Sequence, residues 1–322
     1  MNKTAILVVT HNSERVIGAC LDACARYSKA PVLVVDNASE DATAAVVRSR
    51  TGVRLLANSQ NRGFAAAVNQ GISTLDAPNV LLLNPDVVLR SSIDLLVEAC
   101  ERGAAAAAGL LTDEAGQPQT GFSVRRLPTP LALAFEVMGL NRLWPGNPVN
   151  RRYRALDWSL TEPAEVEQPA GAFLMLRRDV WASLGGFDEQ FHPVWFEDVD
   201  YCKRLRDQGL TIQFVPRARA FHEGGHSVLR LPWGCRQVYW YASLLKYASK
   251  HFRASERRLV SAAVVLGLIP RLVMGILSGR RAKTIKVFFA VIRFAVPLLL
   301  PNGNSGRISS DTSPAAGQRV RR

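Results

Sequence analysis

The feature that most constrains the fold is an alternation in the first 110 residues. Short apolar runs occur at 5–10 (AILVVT), 32–36 (VLVVD), 53–56 (VRLL) and 80–86 (VLLLNPD). Between and after them lie stretches with helical periodicity, near 14–27, 41–50, 64–75 and 91–102. Strands that are apolar throughout, rather than at every second residue, are buried on both faces. The pattern therefore predicts a parallel sheet with helices on both sides. In such sheets ligands bind at the carboxyl ends of the strands. The polar residues gather at those ends: Thr10-His11-Asn12, Asp36-Asn37, the ANSQNRG stretch at 57–63, and Asn84-Pro85-Asp86. A binding crevice is expected there.

Residues 111–165 are broken by Pro118, Pro128, Pro130, Pro145, Pro148 and Pro163, and read as a loop-and-helix excursion over the crevice. Regularity then returns as strand, helix, glycine turn, helix, strand, strand through GAFLMLRRDV, LGGFDEQF, VWFEDVDYCKRLRDQGL and TIQFVPRARAFHEGGHS. Four segments are expected: 1–110 as a nucleotide-binding half, 111–255 as the acceptor-binding and catalytic half of the same domain, 256–301 as amphipathic helices, and 302–322 as a disordered basic tail.

Charge separates the last two segments from the rest. The formal net charge is +13. From Lys250 onward there are 14 Lys and Arg against Glu256 and Asp311, so almost all of the excess lies there. The same region holds apolar runs at 259–279 and 285–301. The first is interrupted by Pro270-Arg271; the second is short for a spanning helix and contains Arg293. At 100° per residue, Lys283, Lys286 and Arg293 share one helical sector, opposite Val, Phe, Ile and Leu. This pattern predicts helices lying on an anionic membrane surface and argues against a nucleic-acid partner. Five scattered cysteines fit reduced thiols, with Cys20 and Cys24 as core residues of one helix. The amino-terminal stretch shows no signal-peptide pattern. The expected location is cytoplasmic, peripheral on the inner face of the plasma membrane.

HEGGHS (222–227) contains H-E-x-x-H, the zinc-protease pattern, which works only on a helix that places both histidines on one face. Two central glycines at about 1 kcal/mol each oppose that helix, so a turn is expected, with His222 ending a strand. His222 then matters if another metal donor faces it. Asp86 is that residue, since a hard divalent ion is commonly held by one or two carboxylates plus substrate phosphates. Asp36 could accept from a base or ribose hydroxyl. Glu197 and Asp198 begin a helix, whose field favours an ionised Asp198. An ionised carboxylate beside an acceptor can take its hydroxyl proton.

In this order and spacing, VVTHNSE, LVVDNASEDAT, NSQNRGFAAAVNQG, LLLNPDV, GAFLMLRRDVW, GGFDEQF, FEDVDYCKRLRDQG and FHEGGHS resemble the family-2 inverting glycosyltransferases. Within that family the chain looks like the rhamnosyltransferase branch of bacterial cell-surface polysaccharide synthesis. The resemblance covers about residues 4–228. It implies a glycosyltransferase-A fold, Rossmann-like, with a nucleotide-sugar donor, a polyprenyl-linked or glycan acceptor, and Mg²⁺ or Mn²⁺. By position, Thr10, Asn12, Asp36, Asn61, Arg62, Gly63, Asn84 and Asp86 would line the nucleotide sugar. Asp86 and His222 would meet the metal. Asp198, beside Glu197 in the E-D pair, would be the general base. The first carboxylate of the family's D-x-D is Asn84 here, which leaves one carboxylate for the metal. L-Rhamnose from dTDP-rhamnose is the implied donor sugar. Galactofuranosyl, glucosyl and GlcNAc transfer, or a non-catalytic sugar-nucleotide-binding module, remain as alternatives.

Overall fold

The computed structural model describes residues 3–224, 231–279 and 281–300. The expected tail at 302–322 and the second histidine of HEGGHS, His226, lie outside the described residues.

The amino-terminal half follows the alternation: β1 (Thr4–Thr10), α1 (Ile17–Tyr27), β2 (Val32–Asp36), α2 (Thr43–Arg48), β3 (Val53–Ala57), α3 (Phe64–Ser73) and β4 (Asn79–Leu83). The run at 80–86 does not stay one strand. After Leu83 the chain turns through Asn84-Pro85-Asp86 and resumes as β5 (Val87–Leu89), which pairs elsewhere. α4 (Asp94–Glu101) and β6 (Ala106–Thr112) follow.

β7 (Val124–Arg125), α5 (Pro130–Met138), α6 (Leu140–Leu143), α7 (Pro148–Tyr153), β8 (Ala164–Val166) and β9 (Gln168–Pro169) make up the excursion. The chain re-enters the sheet as β10 (Phe173–Arg177), continues through α8 (Arg178–Ser183) and α9 (Glu197–Asp207), and returns as β11 (Ile212–His222). The expected final pair of strands is therefore one long strand, with a register shift between Val215 and Arg219.

The sheet order is β3-β2-β1-β4-β10-β6-β11-β5, and β8 also pairs with β11. β1 to β4, β6 and β11 run in one direction; β5, β8 and β10 run against them. Side chains alternate between two apolar layers. Leu7, Val9, Leu33 and Val35 face one; Ile6, Val8, Val32 and Val34 face the other, together with Cys20 and Cys24. Gly109 lets strands approach here: a Cβ on it would lie 2.1 Å from the Phe173 ring.

A third core joins α5 and α9 to α10 (Trp233–His251), α11 (Ala254–Leu277) and α12 (Arg281–Ala295). Two expectations change here. α11 runs through Pro270 without a break, and next to it the Arg271 guanidinium donates to the Val137 and Gly267 carbonyls at 2.5 Å each, tying the helix to α5. Among the described residues α11 is the one helix long and apolar enough to cross a membrane. On α12 the face bearing Val287, Val291 and Ala295 is buried in this third core rather than turned outward. The outward face instead mixes Lys283, Lys286 and Arg293 with Ile285 and Phe289.

Candidate active site

The carboxyl ends of β1, β2, β4, β6 and β11 share one edge of the sheet, because these strands run the same way. A cavity of about 500 Å³ opens there. It collects Asn84 and Asp86 from the turn after β4, Gly171 from the entry to β10, Glu197 and Asp198 from α9, and His222 from the end of β11. Five of the residues expected from sequence thus meet in one cavity, although 138 positions separate the first from the last.

Asp86 and His222 face each other, with 3.7 Å between Oδ1 and Nε2. Both are buried. The imidazole is fixed from two sides. Gln119 Nε2 donates to the His222 carbonyl at 2.7 Å, which directs its Oε1 to His222 Nδ1 at 3.0 Å. Nδ1 must then carry the proton, and Nε2 presents its lone pair toward Asp86. The Phe122 ring stacks on the imidazole at 5.0 Å. Burial lowers the His222 pKa, against the pull of Asp86, so the ring is neutral at pH 7. An oriented neutral imidazole beside a carboxylate is a suitable donor set for a divalent ion that completes its shell with substrate oxygens. Among the described residues, no group of three or more His, Cys, Asp or Glu gathers as a closed metal site. His222 ends a strand and Gly224 has φ +85°, so the helix a zinc-protease motif needs does not form.

Asp198 accepts from the Gly171 N–H at 3.1 Å and the Val199 N–H at 2.8 Å. A Cβ at position 171 would lie 3.0 Å from the Asp198 Cβ, so a side chain there would press on Asp198. Burial raises the Asp198 pKa, and the two backbone bonds and the Arg125 charge oppose the rise. The helix field was expected to keep Asp198 ionised at neutral pH; desolvation acts against that field here. Glu197 is buried with no partner on Oε2, and burial plus its neighbour Asp198 push its pKa well up. Trp195 and Phe196 enter the helix with φ of +80° and +69°, strained values for aromatic residues. The helix is held one turn further on. Asp200 accepts from Arg204 at 2.8 Å and from Lys250 and His251 of α10 at 2.7 Å each.

Thr10, Asn12, Asp36, Asn61, Arg62 and Gly63 lie outside the cavity lining, on the loops adjoining it at Val9 and Phe64. Asn37 organises them: its side chain donates to Asn61 Oδ1 at 2.8 Å and the Gly63 carbonyl at 3.2 Å, and accepts from the Arg62 N–H at 3.0 Å. Asp36 is engaged by the Ser39 hydroxyl and N–H, and Asn12 Oδ1 accepts from the Glu40 N–H at 2.8 Å. Thr10 Oγ1 is buried and has no partner among the described residues. Gly63, at φ +83°, packs where a Cβ would meet His192 at 2.6 Å. The sequence reading left Gln119, Arg125, Gly171 and the hub role of Asn37 out of the site. Asn37 had a signal, its place directly after a buried strand. Gln119 and Arg125 sit in the irregular excursion and had none.

Residues 5–178 match the family described as Glycosyl transferase family 2. Residues 157–226 match the one described as N-terminal domain of galactosyltransferase. The chain is 33% identical over 237 residues to N-acetylglucosaminyl-diphospho-decaprenol L-rhamnosyltransferase of Mycobacterium tuberculosis, covering 68% of this chain and 75% of that one. It is 28% identical over 174 residues to Rhamnosyltransferase WbbL of Escherichia coli, covering 52% and 60%. A mannosyltransferase from Pyrobaculum calidifontis, solved with GDP-Man and Mn²⁺, superposes with a TM-score of 0.51 at 17% identity over 93% of this chain and 88% of its own, which shows a shared fold. With the mixed, mainly parallel sheet and the cavity at its carboxyl edge, these matches establish that the chain is a glycosyltransferase belonging to glycosyl transferase family 2.

Proposed function

We propose that the enzyme transfers a sugar, L-rhamnose from dTDP-rhamnose, with inversion onto a hydroxyl of a polyprenyl-diphosphate-linked glycan. The observation that carries this reading is the single cavity in which the Asp86–His222 pair and the buried Asp198 carboxylate both stand. The M. tuberculosis relative, an N-acetylglucosaminyl-diphospho-decaprenol L-rhamnosyltransferase, supports the choice of sugar and acceptor.

The β4–β5 turn, the loop at 58–63 and Thr10 bind the nucleotide diphosphate. Asp198, its pKa raised by burial, takes the proton from the acceptor hydroxyl. The resulting oxygen attacks the anomeric carbon from the face opposite the diphosphate, and the bond to the diphosphate breaks. Burial and the neighbouring Asp198 push the Glu197 pKa well up, which disfavours a second charge beside the base. Asp86 and His222 would hold a divalent ion, Mg²⁺ or Mn²⁺, whose charge stabilises the departing diphosphate.

The carboxy-terminal helices place the enzyme on the cytoplasmic face of the membrane. α11 exposes Leu266, Ile269, Val273 and Leu277 along one stripe, while Val260, Val264 and Leu268 anchor its other side in the third core. A helix half-buried in its own protein suits an interfacial position, with Lys283, Lys286 and Arg293 of α12 meeting anionic headgroups.

A donor screen tests the reading. The protein with Mg²⁺ or Mn²⁺ is assayed for binding and slow hydrolysis of dTDP-rhamnose, UDP-sugars and GDP-mannose, alongside Asp86→Ala. Turnover of dTDP-rhamnose that the variant loses is the expected result. Turnover confined to another donor would reassign the sugar, and no binding of any donor would overturn the site.

A further inference from the structure

Part of the cavity lining is not used by the donor assignment. That part includes Arg125 and Gln168 of the β7–β9 ribbon, Leu133 of α5 and Trp240 of α10. Most charges in the cavity are balanced or neutral. Arg154 pairs with Glu136 at 3.4 Å, and burial disfavours the charged form of both Glu197 and His222. Arg125 differs. Among the described residues no carboxylate lies within ion-pair distance of it.

Arg125 is also held in place. Its Nε donates to the Gly121 carbonyl at 2.7 Å. Its guanidinium lies over the Phe122 ring at 5.6 Å and the Tyr153 ring at 6.0 Å. A half-buried cation clamped through Nε and between two rings, with no carboxylate partner among the described residues, is preorganised for an anion. Directly across the ribbon from it, Gln168 is buried and its Oε1 has no partner among the described residues. That atom calls for a hydroxyl or amide N–H from a ligand.

We infer that Arg125 and Gln168 form the acceptor subsite, in which Arg125 binds the diphosphate of a lipid-linked sugar, Gln168 accepts a hydrogen bond from that sugar, and Leu133 and Trp240 receive the start of the lipid chain. This rests on the transferase reading given above. The placement is consistent with the chemistry. The Arg125 charge acts on the Asp198 carboxyl, and both side chains line the same cavity. The metal-facing pair of Asp86 and His222 belongs to the donor's diphosphate. Behind Leu133, α5 packs on α11, whose outer stripe is the surface proposed for the membrane.

The test uses the full-length protein and geranylgeranyl diphosphate, a lipid diphosphate without sugar. Binding is followed by quenching of tryptophan fluorescence, with EDTA present to keep metal sites empty. Arg125→Gln should weaken binding about 10- to 100-fold, as for loss of a charge-assisted bond, and Arg125→Lys should recover part of it. Equal binding by wild type and Arg125→Gln overturns the proposal. In a second arm, with Mn²⁺ added, dTDP should bind without displacing the probe. Competitive displacement would show that the anion site is the donor's and would also overturn it. Neither arm depends on turnover, so failure of the proposed sugar transfer would be seen separately, in the donor screen.

Discussion

At the scale of single residues, two adjacent carboxyls meet the same burial with different consequences. Asp198 has two backbone N–H donors; Glu197 Oε2 has none. Asp198→Asn should keep donor binding and lose about 10²- to 10⁴-fold in turnover, the usual contribution of a general base. Unchanged turnover would remove Asp198 from that role. Because its pKa is raised, the acid limb of the rate profile should lie above the ordinary Asp value of about 3.9. Glu197 affects stability. Its folded pKa lies above the unfolded one, so the folded state binds more protons. Stability therefore falls as pH rises from the unfolded value of about 4.3 through the folded value. Glu197→Gln abolishes that linkage. Melting curves recorded between about pH 5 and 8 should show wild type losing stability relative to the variant as pH increases. Parallel pH trends would mean that Glu197 ionises normally.

At the scale of elements, the contact between α5 and α11 ties the catalytic half to the carboxy-terminal helices. It depends on Gly267, where a Cβ would lie 2.3 Å from the Val137 carbonyl oxygen. Backbone must move to admit even a methyl group. Gly267→Ala should cost about 1–3 kcal/mol in urea unfolding. A variant as stable as wild type would show that the two helices can separate freely. The same scale explains where the sequence reading slipped. Pro270 and Arg271 read as a break because proline removes a helical N–H. The helix continues, and the Arg271 side chain ties it at that point to α5 through a Val137 contact that joins residues 134 positions apart.

At the scale of the molecule, the basic carboxy-terminal region is part of the fold as well as a candidate membrane surface. Removing residues 256–322 would strip the third core of Val260, Val264, Val287 and Val291. Membrane attachment is better tested by surface substitutions. Leu277, 81% exposed, can be changed to Glu without loss of packing. Leu277→Glu with Val273→Glu should reduce co-sedimentation with phosphatidylglycerol vesicles. Lys283→Glu with Lys286→Glu should do so in a manner that depends on salt. Attachment unaffected by both pairs would exclude this surface.

The strands, the helices on both faces and the crevice at the carboxyl edge were all legible in sequence. Periodicity and the polar residues after each strand are local properties, set by which side chains can be buried next to one another. Asp86, Asp198 and His222 could be singled out for the same reason, each lying directly at the end of an element. The tertiary structure alone decided what faces them. Gln119 fixes the His222 tautomer across 103 positions, and Arg125 reaches the cavity from an irregular excursion. The apolar face of α12 turned inward because a folded core offered it partners that the amphipathic pattern could not specify. Periodicity determines that a face will be buried, whereas the medium that buries it depends on contacts between residues far apart in the chain.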